Sequence, residues 1–291
     1  MLNILISVDS NYLDKAQTLL FSVRQHTREA ICVYLLNHSL KEQEVHNFSA
    51  YLQNKCRIQL HVVDTTNTIL DDFPLLGPGF TIETYYRILA QFLLPDSVDR
   101  ILWLDADMVV LKDIAPLYYQ PFDGMMYAVC PDSKANSDWV RECKAKLSLP
   151  ESHVYFNAGM MLMDLKALRN SLTIAELLQQ CNLIRDKLTY NDQDILNYIY
   201  SGKVKYLEWK QYNYQLVLLK RIPKNDIHDI VILHYTGPDK PWNYWHISNK
   251  SNFYWKVRWA QGDRWPAVKA YLQKIWDLTG VYFRDLKDIF F

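Results

Sequence analysis

Short apolar runs alternate with amphipathic helical stretches over the first 65 residues, and this alternation constrains the fold more than any other feature of the sequence. The apolar runs, at residues 2–8, 31–36 and 58–63, have the length and composition of buried strands. Between them, residues 13–26 and 41–54 carry apolar side chains three or four positions apart, which is typical of helices with one buried face. Because strands joined by crossover helices run parallel, this order predicts an α/β protein with a mostly parallel sheet and helices on both faces.

The rest of the chain continues this pattern less regularly. Residues 71–79, rich in Pro and Gly, predict a loop, and a helix is expected over 83–94, where Pro95 ends it. Further predicted elements are strands at 101–104, 126–130, 159–163 and 230–233 and a helix at 191–200. No internal repeat, low-complexity segment or flexible linker interrupts the sequence. We therefore expect one compact domain over 1–249, followed by a helical C-terminal extension over 250–291.

Composition and charge narrow the class of protein. Hydrophobic residues make up 49% of the chain, which is typical of an ordered globule. The 32 Lys and Arg residues balance the 32 Asp and Glu residues, which argues against a nucleic-acid-binding protein. The five cysteines stand singly, so we expect a reducing compartment and no structural zinc site. The N-terminus lacks a basic segment and no run of about 18 residues is apolar, which predicts a cytoplasmic protein without a signal peptide or membrane span.

Two aspartates directly follow the predicted strand at 101–104. Asp105 and Asp107 are two positions apart, so their carboxylates point the same way in an extended segment. Ligands of open α/β sheets bind beyond the carboxyl ends of the strands. Paired carboxylates in such a crevice repel each other unless a cation joins them, and the hard ions Mg²⁺ and Mn²⁺ prefer oxygen ligands. The pattern therefore indicates a metal site; the simpler alternative is that both aspartates cap a turn or a helix.

A second candidate segment starts at His234, after the predicted strand at 230–233. A neutral imidazole can complete the coordination shell of a metal. Gly237 allows the backbone to approach a phosphate closely, and Lys240 supplies a positive charge for it. A single histidine is more often a buried structural residue, but His, Gly and Lys together after a strand favour a phosphate and metal site.

Three further segments carry weaker signals. Asn157 lies between Phe156 and two small residues and has room to bind a ligand hydroxyl, although a strand with a bulge explains the same sequence. The acidic segment at 191–194 suits either a ligand or the cap of a helix. Arg87 is either a surface helix residue or a clamp for an anion.

Together these segments resemble glycosyltransferase family 8, which includes glycogenin and the bacterial lipopolysaccharide glucosyl- and galactosyltransferases. The matching segments, in the order of the family's motifs, are Val-Asp-Ser-Asn-Tyr at 8–12, Thr-Tyr-Tyr-Arg at 84–87, Leu-Trp-Leu-Asp-Ala-Asp at 102–107, Phe-Asn-Ala-Gly at 156–159, Asn-Asp-Gln-Asp at 191–194 and His-Tyr-Thr-Gly-Pro-Asp-Lys-Pro-Trp at 234–242. The resemblance spans residues 2 to about 246, and no motif position departs from the family pattern.

The resemblance implies the Rossmann-like GT-A fold with a mixed central sheet. It also implies a retaining hexosyltransferase that moves glucose or galactose from a UDP-sugar to a hydroxyl of a free, lipid-linked or protein-linked glycan, with Mn²⁺ or alternatively Mg²⁺ as cofactor. Carried over by residue, the metal ligands would be Asp105, Asp107 and His234. Asp9, Asn11 and Tyr12 would hold the uridine, Gly237 and Lys240 the diphosphate, and Arg87, Asn157, Asp192 and Gln193 the sugar. Ser7 and Ala106 would also bind the donor.

The candidate catalytic residues are Asp192 and Gln193. The carboxylate of Asp192 and the carbonyl dipole of Gln193 would stabilise positive charge at the anomeric carbon, and a covalent intermediate on either residue is left open. Alternative functions are a glycoside hydrolase with paired carboxylates and a non-catalytic nucleotide-sugar-binding module. A nicotinamide oxidoreductase is disfavoured, because no G-x-G-x-x-G follows the first strand.

The C-terminal extension differs from the rest of the chain. Residues 250–291 hold eight Lys and Arg against four Asp, interleaved with aromatic residues. This pattern suits peripheral contact with the inner face of an anionic membrane. The alternative is that Trp255, Trp259 and Trp265 pack onto the rest of the domain or onto a second subunit of a homodimer.

Overall fold

The computed structural model describes residues 1–65, 82–216, 222–223, 225–243 and 251–263, together with Val268 and Leu272. The predicted loop at 71–79 and the extension beyond residue 263, apart from those two residues, lie outside the described part. The strands are β1 (Leu2–Ser7), β2 (Ile31–Asn37), β3 (Gln59–Asp64), β4 (Arg100–Leu104), β5 (Met108–Val110), β6 (Tyr127–Pro131), β7 (Phe156–Asp164), β8 (Val204–Tyr206), β9 (Tyr214–Gln215) and β10 (Ile232–His234).

Helices connect and cover these strands. They are α1 (Leu13–His26), α2 (Glu42–Tyr51), α3 (Ala90–Leu93), α4 (Ala115–Tyr118), α5 (Asp138–Lys146), α6 (Leu165–Arg169), α7 (Ile174–Ile184), α8 (Asn191–Ile199), α9 (Trp209–Tyr212) and α10 (Asn252–Ala260). A π-helical turn at Leu52–Cys56 and 3₁₀ helices at Ile82–Ile88 and Arg185–Lys187 complete the helical segments of the described residues. None of the helices described is long and apolar enough to cross a membrane.

The larger sheet has the strand order β3-β2-β1-β4-β7-β6-β8. The strands from β3 to β4 are parallel, as the alternating sequence predicts, whereas β7 runs antiparallel to both β4 and β6. The result is the expected mixed sheet. All residues of β7 except Asp164 are buried, because this strand lies in the middle of the sheet with a hydrophobic cluster on each face.

The smaller sheet positions the end of β10 beside the end of β4. Its order is β5-β10-β9, and β5 begins directly after Asp107. In the antiparallel β5–β10 pair, His234 is the partner of Met108. The next residue, Tyr235, donates its backbone N–H to the carbonyl of Asp107 at 3.0 Å. This pairing brings together two segments that are more than a hundred residues apart in sequence.

The segment predicted as one helix over 83–94 differs in the structure. It forms the 3₁₀ helix Ile82–Ile88 and then the short helix α3. The core side chains of this segment include three that are completely buried: Tyr85, Tyr86 and Ile88. Because they are so close together in sequence, tertiary packing determines the backbone conformation here more than intrinsic helix propensity does.

Helix α10 packs against α1 and the smaller sheet. Tyr254 is 2% exposed and its ring contacts those of Tyr235 and Trp242. Arg258 forms an ion pair with Asp14 of α1 at 3.2 Å. The first part of the aromatic extension therefore contributes to the core of the protein.

Candidate active site

Two aspartates and a histidine meet at the carboxyl end of β4. The Nε2 atom of His234 lies 3.2 Å from Oδ1 of Asp107 and 3.9 Å from Oδ2 of Asp105. One ligand atom from each residue lies within 4.8 Å of the others. A backbone hydrogen bond holds Asp105 in this position, because its N–H donates to the carbonyl of Gly159 on β7 at 2.9 Å.

These three residues fit a divalent cation. The buried Oδ1 of Asp107 accepts no hydrogen bond from any described residue, although a buried carboxylate oxygen normally needs a partner. His234 uses its other ring nitrogen, Nδ1, for a 2.9 Å hydrogen bond to Asn213. Two carboxylates and one imidazole, with a polar neighbour holding the imidazole, are a donor set that suits Mn²⁺.

Lys240 lies on the opposite side of Asp107. Its Nζ is 2.5 Å from Oδ2 of Asp107 and donates to the carbonyl of Tyr235 at 2.8 Å. Burial raises the pKa of Asp107, but the charges and hydrogen bonds of Lys240 and His234 together outweigh burial and hold this pKa well below its ordinary value. Burial lowers the pKa of the Lys240 ammonium. The charge and the hydrogen bond of Asp107 raise it, and the net result is a raised pKa.

Arg87 joins the aspartates of two motifs. Its guanidinium contacts Asp105 at 3.0 Å and Asp192 at 3.1 Å, and it donates to the carbonyl of Ala158 at 2.7 Å. The guanidinium carbon also lies 4.5 Å from the centre of the Trp103 ring. Arg87 is therefore a buried residue of the site and not a surface helix residue.

The two aspartates at the start of α8 have different roles. Asp194 is fully buried and accepts hydrogen bonds from the backbone N–H groups of Thr189 and Tyr190, so it holds the turn before the helix. Asp192 faces Arg87 instead. Burial raises the pKa of Asp192 to about 6, even though Arg87 acts in the opposite direction. Asp194 thus fixes the turn that precedes α8, while Asp192 lines the cavity.

Hydrogen bonds hold the side chain of Gln193 between β7 and Asp132. Its Oε1 accepts from Nδ2 of Asn157 and from the backbone N–H of Ala158, each at 3.1 Å. Its Nε2 donates to Oδ2 of Asp132 at 3.3 Å. The segments at 156–159 and 191–194 are therefore in direct contact.

A cavity of about 320 Å³ lies in front of these residues. Its lining includes Arg87, Asp105, Asp107, Asn157, Asp192, Gln193, His234 and Gly237 from the sequence prediction. Gly237 has a φ of 81°, a conformation that glycine adopts readily. Other lining residues were missed by the sequence analysis because no motif contains them: Asp132, Lys134, Trp139, Tyr190 and Gln215. The rings of Trp139 and Tyr190 meet edge-on, with centres 4.1 Å apart.

The predicted uridine-binding residues do not line this cavity. Ser7 ends β1 and donates its hydroxyl to the carbonyl of Leu36 at 3.1 Å. Asp9 accepts from Nδ2 of Asn11 at 3.2 Å and from the N–H of Tyr12 at 3.1 Å, which fixes the turn before α1. Burial raises the pKa of Tyr12, and Lys240 opposes this effect.

Ala106 is buried between the two metal-site aspartates. The charges of Asp107 and Asp105 also raise the pKa of the Tyr12 hydroxyl. The ring of Tyr12 lies edge-on to that of Trp242, with centres 5.7 Å apart. The turn before α1 therefore lies on the Lys240 side of the aspartates.

A family model that describes glycosyl transferase family 8 matches residues 3–246, a range that contains every motif segment of the site. The chain belongs to glycosyl transferase family 8. A lipopolysaccharide 1,2-glucosyltransferase of Escherichia coli strain K12 is 28% identical over 265 residues, which cover 87% of this chain and 76% of that protein. A lipopolysaccharide 1,3-galactosyltransferase of Salmonella typhimurium strain LT2 is 25% identical over 267 residues, which cover 88% of this chain and 77% of that protein.

Solved structures of a galactosyltransferase resemble the fold. An active-site mutant of LgtC superimposes with a TM-score of 0.76 at 22% identity, covering 89% of this chain and 96% of LgtC. The galactosyltransferase LgtC in complex with donor and acceptor sugar analogs gives a TM-score of 0.75 over the same shares. The chain has the GT-A fold of these transferases.

Proposed function

We propose that this family 8 protein is a retaining hexosyltransferase that moves glucose or galactose from a UDP-sugar to a hydroxyl of a glycan. The observation that carries the proposal is the convergence of Asp105, Asp107 and His234 beside Lys240 and Arg87. This arrangement supports the proposal, because three possible metal ligands lie beside the positive charges of Lys240 and Arg87. Relatives named as glucosyl- and galactosyltransferases support the choice of sugar.

The sugar end of the donor occupies the cavity near the start of α8, and the uridine lies outside the cavity, toward the turn before α1. Ser7, Asp9, Asn11 and Tyr12 bind the uridine; Ala106, Gly237 and Lys240 bind the diphosphate; Arg87, Asn157, Asp192 and Gln193 bind the hexose. Asp105, Asp107 and His234 hold Mn²⁺, with Mg²⁺ as the alternative. Lys240 is buried against Asp107, beside the residues proposed to hold the cation.

Charge separation in the transfer step explains the chemistry of the residues. The sugar–phosphate bond breaks with its electron pair on UDP, and the acceptor oxygen bonds to the anomeric carbon. The bound cation is a Lewis acid for the negative charge on the diphosphate. Lys240 adds to this stabilisation, while Asp192, oriented by Arg87, stabilises the positive charge at the anomeric carbon. The departing phosphate oxygen accepts the acceptor's proton.

Gln193 contributes to catalysis through its fixed position. Both lone-pair directions of its Oε1 are used by Asn157 and Ala158, so the amide plane is held at the sugar end of the cavity. The dipole of this amide acts together with the carboxylate of Asp192 on the sugar.

The acceptor approaches from the side of Trp139 and Tyr190. Ligand sites commonly combine such aromatic surfaces with a few polar groups, and here Asp132 and Lys134 provide them. The acceptor is a free, lipid-linked or protein-linked glycan, in keeping with relatives named for lipopolysaccharide. The catalytic domain covers 1–249 and the extension covers 250–291.

The enzyme acts in the cytoplasm, which five unpaired, buried cysteines support. The basic and aromatic extension provides peripheral contact with the inner face of the membrane, or alternatively the contact of a homodimer. Nucleic acid is not among the partners.

A panel of UDP-sugars tests the function directly. Each donor is incubated with Mn²⁺, with and without glycan acceptors, and the UDP released and the anomeric configuration of the product are measured. We expect UDP-glucose or UDP-galactose to be turned over, with the α configuration retained and with loss of activity in EDTA. Hydrolysis of glycans without any nucleotide would indicate a glycoside hydrolase, and UDP binding without turnover of any donor would indicate a binding module.

A further inference from the structure

Two backbone N–H groups of β7 determine how the side-chain amides of the site are oriented. Gly159 N–H donates to the amide oxygen of Asn157, and Ala158 N–H donates to that of Gln193, each at 3.1 Å. A backbone N–H can only donate, so both facing side-chain atoms must be oxygens. These two contacts fix amide orientations that the positions of the heavy atoms alone would leave ambiguous.

Asn213 continues the chain of hydrogen bonds. One end of its amide lies 2.9 Å from Oδ1 of Asn157, and because that atom is an acceptor, this end must be the NH₂ group. The other end is therefore Oδ1, which lies 2.9 Å from Nδ1 of His234. Nδ1 of His234 therefore carries a proton, because a lone pair on this nitrogen would otherwise face the lone pair of Oδ1.

The tautomer decides what His234 presents to the aspartates. With the proton on Nδ1, the lone pair of Nε2 points toward Oδ1 of Asp107, 3.2 Å away. That oxygen is buried and accepts no hydrogen bond from the described residues. In the opposite tautomer, Nε2–H would donate to Asp107 and block the direction in which a cation binds.

We propose that Asn213 is a positioning residue that holds His234 as the Nδ1–H tautomer and so prepares its Nε2 for the metal; this rests on the proposed function of the site. Asn213 acts on the metal site through its hydrogen bond to His234. Through Asn157 and Gln193, the same hydrogen-bond chain connects the metal ligand with the sugar-binding side chains.

The fold holds Asn213 firmly in this place. It is completely buried and lies between α9 and β9, and its N–H donates to the carbonyl of Trp209 at 3.1 Å. The next two residues pair with the last two residues of β10, Tyr214 with Leu233 and Gln215 with His234. The distance between Asn213 and His234 is therefore set by strand pairing.

The test replaces Asn213 with an apolar residue of the same shape. In Asn213→Leu, Nδ1 of His234 loses its acceptor, and Oδ1 of Asp107 becomes the nearest one. The comparison variant is Asn197→Leu, because Asn197 is also completely buried and also bonds to a histidine, His153, at 2.8 Å. Asn197 in addition bonds to the backbone of Phe156 and Gln193, so this variant measures the effect of loosening the neighbouring wall of the site while the contact of Asn213 with His234 is kept. Asn213→Asp retains an acceptor for Nδ1–H but loses the donor to Asn157.

The first measurement is the ¹⁵N spectrum of the histidine rings in metal-free protein at alkaline pH, with His234 assigned from His234→Gln. We expect the Nδ1–H tautomer in the wild type and in Asn213→Asp, and a shift toward Nε2–H in Asn213→Leu. An unchanged tautomer in Asn213→Leu would overturn the proposal. This readout contains no metal or donor, so it does not depend on the proposed function.

The second measurement is the affinity for Mn²⁺ in the presence of UDP, by calorimetry. We expect about 10- to 100-fold weaker binding in Asn213→Leu, and a change of less than about threefold in Asn197→Leu and Asn213→Asp. Equal losses in both leucine variants would show a general structural effect and overturn the assignment. A wild type that binds neither Mn²⁺ nor UDP would instead contradict the proposed function.

Discussion

Gly159 and His234 are so close that no side chain fits between them. A methyl carbon on Gly159 would lie 2.3 Å from Cε1 of His234 and 2.9 Å from Oδ2 of Asp105. Both distances are below normal van der Waals contact, so the imidazole or the carboxylate would have to move. The glycine of the Phe-Asn-Ala-Gly segment therefore provides the space in which the metal ligands meet.

Gly159→Ala should damage the metal site while leaving the fold intact. The displaced imidazole no longer aims Nε2 at the aspartates, and we expect Mn²⁺ affinity to fall by at least about tenfold, as it does when support of a metal ligand is lost. Calorimetry measures the affinity, and circular dichroism monitors the fold. The control is Gly124→Asn at an exposed position with a φ of 81° and no atom within 4 Å of the added carbon. Normal Mn²⁺ affinity in Gly159→Ala would contradict the prediction.

Lys240→Ala should lower the affinity for UDP without lowering the affinity for Mn²⁺. Removal of a buried charged donor to the diphosphate should weaken the binding of UDP about 10- to 100-fold. The same change removes a cation that competes for Oδ2 of Asp107, so Mn²⁺ alone should bind at least as tightly as in the wild type. Titrations of UDP and of Mn²⁺ separate the two effects.

The control for Lys240→Ala is Lys146→Ala, because Lys146 is exposed and pairs with the exposed Glu142 on α5. It should change neither affinity. Unchanged binding of UDP to Lys240→Ala would remove Lys240 from the diphosphate site.

The pH dependence of transfer should report Asp192. Its pKa of about 6 means that the carboxylate needed beside the anomeric carbon is lost below that pH, and kcat should fall about tenfold per pH unit there. A pKa raised by folding stabilises the folded protein at low pH, and this stability decreases as pH rises from the ordinary value of 3.8 through about 6. Protonation of Asp192 therefore lowers activity without unfolding the protein.

Asp192→Asn tests this assignment. It should be much less active and should lose the acidic limb of the pH profile, with UDP affinity kept. Thermal unfolding at each pH separates inactivation from loss of fold. If the limb near pH 6 persists in Asp192→Asn, another group is responsible for it.

Much of the site is predictable because its residues follow strand ends. Asp105 and Asp107 come directly after β4, and His234 ends β10, so simple rules of α/β sheets place them at one edge. The alternation of apolar runs likewise predicts the parallel strands β1, β2 and β3. The pairing of β5 with β10, which brings His234 to Asp107, has no local signal in either segment.

Other parts of the site depend on contacts that no sequence pattern encodes. Asn213 and Trp139 belong to no motif, and each gains its role from a neighbour far away in the chain. Asp192 and Asp194 are equivalent in sequence, yet one faces the cavity and the other holds a turn. Burial and hydrogen-bond partners distinguish these residues, and both are properties of the folded chain.

Two aromatic residues of helix α10, Tyr254 and Trp259, should have different roles, one in packing and one at the surface. Tyr254 is buried against Tyr235 and Trp242, so Tyr254→Ala should lower the free energy of unfolding by about 2–4 kcal/mol. Trp259 is 49% exposed on the same helix, so Trp259→Ser should lower the free energy of unfolding by less than Tyr254→Ala does. If the extension contacts the membrane, Trp259→Ser should nevertheless reduce co-sedimentation with anionic liposomes, because an aromatic ring at the lipid surface is lost.

Urea unfolding of both variants measures the stability, and liposome sedimentation of both variants measures the membrane contact. Wild-type protein that ignores liposomes would restrict α10 to its packing role, and a large loss of stability in Trp259→Ser would place that ring in a contact with the rest of the protein.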